Sequence, residues 1–295
     1  MNFRSCVTLV LLALCAISHS TADAKNALDL RSAYEQPGAQ RVSGLLASMP
    51  LVFTENRGQW DEQVSFRTNA GGATMWFTDQ GAVYQFTRSI PQNEAGNNSA
   101  FDARSDVDDR RPVSLESIAI RASFVGANPE PVMVGLEKQD YRCNYFMGSD
   151  PGNWQIDVAN YRAIVYEEVY DGIDLKYYGN GREMEYDFVV SPGADPSQIA
   201  IRYEGAKSLS VNAGGDLVVE TEWGEVVERR PMVYQVESGA VVPVEATYLL
   251  TGDNSFGFAL GHEYNSALAL VIDPVVSYST YLGQSDIERG YDIAL

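Results

Sequence analysis

IDLKYYGNGREMEYDFVV, residues 173–190, decides the fold. Ile173, Leu175 and Tyr177 alternate with Asp174, Lys176 and Tyr178. After Asn180-Gly181 the alternation resumes, with Met184, Tyr186 and Phe188 set against Glu183, Glu185 and Asp187. A period of two sends successive side chains to opposite faces of a strand, and Asn-Gly supplies the positive φ that a tight hairpin turn requires. The stretch is therefore read as an antiparallel hairpin with one apolar and one polar face.

The same rhythm extends in both directions. Upstream, Ile118, Ile120, Ala122 and Phe124 alternate with Ala119, Arg121 and Ser123. Downstream it recurs about every ten residues, in Ile199/Ile201/Tyr203, Leu217/Val219, Met232/Tyr234/Val236, Val242/Val244/Ala246/Tyr248, Phe256/Phe258/Leu260 and Leu268/Leu270/Ile272. Residues 69–72 and 212–216 supply further turn chemistry. Short strands at this spacing predict an all-β protein built from two β-sandwich-like units, residues 49–165 and 166–274. Helix is expected only in a lead-in at 25–48 and in a single turn where Asp195 caps and Pro196 takes the first position. Residues 89–112 are almost devoid of apolar side chains and rich in Asn, Asp, Ser and Arg, which predicts a disordered loop inside the first unit.

The N-terminus carries Arg4, an apolar run from Val7 to Ile17 and an Ala22-Asp23-Ala24 site, the layout of a cleaved secretory signal over residues 1–24. The run is too short to span a bilayer, and Leu14 stands before Cys15 where lipid attachment wants a small side chain. An exported, extracellular or outer-surface protein without membrane insertion is expected. Net charge is −19, and removal of 1–24 takes one residue of each sign, so it does not change. Such a surface repels phosphate backbones, which argues against nucleic acid. Beyond residue 24 the chain keeps one cysteine, Cys143, and one histidine, His262, so internal disulfides and multi-histidine zinc sites are excluded. Cys143 is read as a small buried hydrophobe.

Two groups of polar residues are candidate sites. Glu55, Asn56, Arg57, Gly58 and Gln59 crowd one short run with no nucleophile or base of known pattern nearby. They are read as a structural clasp at the start of the first sheet, with Glu55 and Arg57 paired on one face. Glu183, Glu185 and Asp187 share a strand face. Carboxylates two apart on a strand lie about 7 Å from one another, inside the range of about 5 to 9.5 Å that glycoside hydrolysis uses, and the same oxygens suit calcium. The plainer reading is a solvated acidic face. Trp60, Trp76, Trp154 and Trp223 are read as packing residues, with a sugar-stacking platform as the alternative.

Five segments, FTENRGQW (53–60), NYFMGSDPGNW (144–154), VYDGIDLKYY (169–178), EYDFVVSPGADPSQI (185–199) and LVIDPVVSYSTYLGQSDIERGYDIAL (270–295), follow one another in an order that resembles the SBBP-repeat family of bacterial exported proteins. In that family a β-rich N-terminal domain precedes repeats thought to build a seven-bladed β-propeller. The resemblance covers residues 50–295. It implies a non-catalytic surface module, with residues 275–295 as the start of a first repeat and propeller repeats in the same full-length chain as partners. One departure is visible: such repeats usually read YLGGSGDD, whereas Gly283 is followed here by Gln284, Ser285 and Asp286. A single repeat cannot bury its apolar face alone, so the chain is expected to continue past Leu295 and a tail beyond Pro274 to be open to proteases.

The leading expectation is thus an exported structural or interaction module with a surface glycan or protein as partner and no cofactor. Alternatives are a calcium- or carbohydrate-binding β module, and a carboxylate-based glycoside hydrolase.

Overall fold

The computed structural model describes residues 51–70, 72–91, 113–181, 183–262 and 264–278. The expected signal segment, the lead-in, the loop at 92–112 and the repeat sequence at 279–295 lie outside the described residues. No helix among the described residues is long and apolar enough to cross a membrane.

The described chain is all-β. Strands β1 (Phe53–Glu55), β2 (Val64–Ala70), β3 (Ala73–Thr78), β4 (Gly81–Pro91) and β5 (Val113–Phe124) form a meander, each paired antiparallel with the next. Residues 89–91, expected in the loop, instead extend β4 against β5. A long hairpin follows, β6 (Val132–Tyr145) with β7 (Gln155–Tyr170), and β8 (Ile173–Asn180) and β9 (Glu183–Val190) continue it. The remaining strands are short: β10 (Ile201–Glu204), β11 (Ser208–Val211), β12 (Leu217–Glu220), β13 (Glu225–Glu228), β14 (Met232–Glu237), β15 (Ala240–Val244), β16 (Ala246–Gly252), β17 (Ser255–Leu260), β18 (Leu270–Asp273) and β19 (Val275–Tyr278).

Two strands join the parts of this large antiparallel sheet. The first half of β7 pairs with β1, through Phe53–Tyr161, and its second half with β8, through Ile164–Tyr177. Strand β10 connects the meander to β17 through Ile201, which is paired with both Phe124 and Phe256. The boundary expected at 165/166 therefore falls inside β7, β5 pairs with β10 across it, and the described residues from Leu51 onward belong to one compact unit.

The alternation that defined the strands also defines the core. Ile173, Leu175 and Tyr177 are buried with Met184, Tyr186 and Phe188 in a single cluster that runs from Leu51 to Ile272. Rings meet there between strands that share no ladder: Phe77 with Tyr177 at 5.0 Å, Phe124 with Tyr166 at 5.3 Å and Phe188 with Phe258 at 6.0 Å. Such tilted and edge-on contacts add about 0.5–1.5 kcal/mol per pair to the burial itself. The hairpin turns at Gly72, Gly181 and Gly215 take the positive φ that their sequences predicted. The turn at Pro196–Gln198 also forms as expected, and the Asp195 carboxylate accepts from Ser197 N at 2.9 Å.

One strand runs out of phase with its reading. In β14 the buried positions are Val233 and Gln235, whereas Met232 is 63% exposed. Both faces of this strand carry apolar side chains, so alternation alone does not settle which faces inward. The phase follows from Gln235, whose Nε2 donates to Asn265 O at 2.8 Å while its Oε1 accepts from Asn265 N at 2.8 Å. A buried amide satisfied in this way is tolerated inside. Residues 275–278 also depart from the expected protease-open tail: as β19 they pair with both β9 and β13.

Candidate functional site

The polar run after β1 forms a loop tied by its own side chains. Asn56 Nδ2 donates to Asp61 O at 2.8 Å and Val64 O at 2.7 Å, and its Oδ1 accepts from Gly58 N at 3.0 Å and Trp60 N at 3.2 Å. Gln59 is buried; its Nε2 donates to Glu55 O at 2.6 Å and its Oε1 accepts from Arg57 N at 2.7 Å. Gly58 sits at φ +105°, a conformation that favours glycine. The expected pairing of Glu55 with Arg57 is not formed. Strand β1 stops at Glu55, so the two residues are not on one extended segment; Arg57 is exposed, and Glu55 accepts a long 3.5 Å bond from Tyr161.

This loop abuts the tip of the β6–β7 hairpin. A Cβ at Gly58 would lie 3.4 Å from Gln155 Nε2, and the Trp60 ring stands edge-on to Tyr145 at 5.3 Å and to Trp76 at 5.8 Å. The Arg67 guanidinium lies 5.5 Å from the Trp60 centroid and 5.2 Å from that of Trp76. At the tip, Phe146, Met147, Trp154 and Ile156 are exposed. Their positions are fixed nonetheless: Trp154 Nε1 donates to Gly148 O at 3.2 Å, its ring meets Phe146 edge-on at 5.2 Å, and Asp150 caps the short turn Pro151–Asn153 by accepting from Gly152 N at 2.9 Å. Two segments far apart in sequence, FTENRGQW and NYFMGSDPGNW, are thus neighbours. The four tryptophans do not form one platform, because Trp76 is buried and Trp223 lies under Arg88 at 4.2 Å. Below the tip, half-buried Cys143 accepts from Asn160 Nδ2 at 3.4 Å, and Thr54 Oγ1 donates to Asn160 Oδ1 at 2.7 Å.

The carboxylates of β9 do not form a solvated face. Glu183 is exposed, but Glu185 is buried and accepts from Asn180 Nδ2 at 2.9 Å. Asp187 accepts from the Tyr178 hydroxyl at 3.0 Å. The reason lies far along the chain: β18 pairs with β9 through Ile272–Phe188 and brings Asp273 up to them. Burial, then the charge of Asp273, pushes Asp187 up to about 7 against the pull of Lys176 and Tyr178. Burial, then Glu185, raises Asp273 to about 6. Asp273 Oδ1 is buried without a hydrogen-bond partner. No group of three or more His, Cys, Asp or Glu side chains among the described residues is arranged to hold a metal ion.

A further acidic residue escaped the reading of the sequence. Glu228, in the charged-looking run EVVERR, is fully buried. Tyr186 donates to its Oε2 at 2.6 Å, Tyr203 donates to its Oε1, and Tyr248 stands beside it with its hydroxyl donating to Arg229 O at 2.8 Å. Burial pushes the Glu228 carboxyl above its ordinary range, against the hydrogen bonds from the tyrosines. The available signal was Val226, which is buried two residues earlier and shares its face.

Residues 53–275 match the family model described as Domain of unknown function (DUF7948). The chain belongs to this family. The DUF7948 match takes in the clasp, the hairpin tip, Glu228 and the carboxylates of β9, and ends at the first residue of β19. No curated protein and no solved structure matches the chain.

Proposed function

We propose that this DUF7948 protein is an exported, non-catalytic structural and interaction module. It acts at the cell surface or outside the cell, ahead of propeller-type repeats, with its contact surface at the β6–β7 tip. The observation that carries this reading is the exposed Phe146–Trp154 pair, held by a ring contact, an indole hydrogen bond and a capped turn. Rigid aromatic side chains lose little entropy on binding and dominate contact energies in interfaces. The carboxylates that would serve hydrolysis are instead engaged by Asn180 and Tyr178. A two-layer, sandwich-like packing of the sheet is part of the proposal, supported by the rings that meet between unpaired strands.

A carbohydrate-binding role is the second reading, favoured by the same exposed indole and phenyl rings. The test is a glycan array and a chromogenic glycoside panel run on the exported full chain. The module reading expects no product release, with any glycan signal lost in the double variant Phe146→Ser, Trp154→Ser. Product release that disappears on Glu185→Gln would overturn it in favour of a hydrolase.

A further inference from the structure

Among the described residues two acidic side chains are buried, Glu185 and Glu228, and both lie opposite the same short strand. Val275 of β19 is paired with Glu185 of β9, and Val276 with Glu228 of β13. Immediately before β19, at Asp273-Pro274, the chain changes neighbours: β18 runs between β9 and β14, and β19 between β9 and β13. Asp273 stands at this junction beside Asp187, with one buried carboxylate oxygen unpartnered. Four carboxyl groups thus line the path of one strand.

The groups that face them are few. From β8 come Lys176, Tyr178 and Asn180 on the side of Asp187 and Glu185, and Tyr234 of β14 senses Asp187 and Asp273. Around Glu228 stand Tyr186 of β9, Tyr203 of β10, Tyr248 of β16 and Tyr177 of β8, and Tyr248 also senses Asp273. Lys176 is the cation acting on Asp187. Neutral hydroxyls stabilise an ionised carboxylate but do not cancel its charge, and a buried carboxylate beside like charges is costly to ionise.

We propose that β18–β19 is a pH-sensitive latch: with these carboxyl groups protonated Val275–Tyr278 stays paired to β9 and β13, and their ionisation releases it. The groups are shifted in the direction this requires. Asp187 and Asp273 are raised to about 7 and about 6, and Glu228 upward. A carboxyl raised in the folded state contributes stability that is complete below the ordinary carboxylate range and lost as pH rises through the raised value. The latch is therefore closed near pH 5 and weakest above pH 7. This device is independent of the contact surface proposed above.

Hydrogen exchange of the full chain at pH 5.5 and pH 8, corrected for the intrinsic pH dependence of exchange, tests it. Peptides covering residues 270–278 should lose protection by on the order of 10- to 100-fold at pH 8, since each unit of pKa shift corresponds to a tenfold change in the equilibrium. Peptides from β2 to β4 should not change. The double variant Asp187→Asn, Asp273→Asn should keep protection at pH 8. Lys176→Met, which removes the group holding Asp187 down, should move the loss to higher pH and gives a second readout if the double variant does not fold. Equal protection at both pH values, or loss of protection in the double Asn variant as in the parent, overturns the proposal.

Discussion

The hairpin tip and the C-terminal corner invert the usual distribution of side chains in opposite ways. At the tip, Phe146, Met147, Trp154 and Ile156 face solvent, while the polar side chains of Asn56 and Gln59 turn inward onto backbone. At the corner, Glu185 and Glu228 are buried and Asp187 and Asp273 are raised in pKa beside them. Exposed apolar surface is tolerated where something is to be contacted, and buried charge where neighbouring hydroxyls and amides satisfy it. The difference separates a region built for contact from one whose stability depends on its protonation state.

The largest effect expected lies at the corner's apolar floor. Phe188→Ala removes a fully buried ring that touches Tyr186 and Phe258, and should cost about 3–5 kcal/mol in denaturant unfolding. A loss below about 1 kcal/mol would mean that β9 and β17 do not pack as described. Next, Tyr186→Phe removes one donor from Glu228 and should cost about 1.5–3 kcal/mol, the range for hydrogen bonds to charged groups. Its cost should grow with pH, because the ionised carboxylate needs that donor more than the neutral acid does. A cost that is flat or falls between pH 5 and pH 8 would show that Tyr186 serves Glu228 only as packing.

The clasp gives an intermediate effect with an internal control. Asn56→Ala strands two backbone carbonyls and two N–H groups and should destabilise by about 1–3 kcal/mol, whereas Arg57→Ala, one residue away and exposed, should stay within about 0.5 kcal/mol. Equal losses in the two variants would restore the ion-pair reading of the motif. At the tip, Phe146→Ser with Trp154→Ser should have the smallest effect on stability, about 1 kcal/mol or less, because the rings are exposed and the lost ring pair contributes about 0.5–1.5 kcal/mol.

Much of the fold was legible because its signals are local. Strand alternation at 173–190, the Asn180-Gly181 turn and the Asp195-Pro196 cap depend on neighbours in sequence, and each formed as read. What could not be read depends on partners far along the chain. The division at 165/166 was not visible as the middle of a strand because β7 pairs successively with β1 and β8. In β14, apolar residues on both faces hid the phase that Gln235 sets through the turn at 265–269. The acidic face of β9 looked solvated until β18, more than 80 residues later, covered it with Asp273. Of the clasp, the backbone-binding roles of Asn56 and Gln59 fit the structural reading, and the Glu55–Arg57 pair does not.

The separation of contact from stability is tested most directly by comparing two variants side by side, Phe146→Ser with Trp154→Ser and Asp187→Asn with Asp273→Asn, for retention on the surface of exporting cells, with melting temperature measured on the same preparations. The account predicts that the tip variant keeps its melting temperature within a few degrees and is lost from the surface. The corner variant should melt higher at pH 8 and be retained as the parent is. Full surface retention of the tip variant, or loss of the corner variant despite its higher melting temperature, would contradict it.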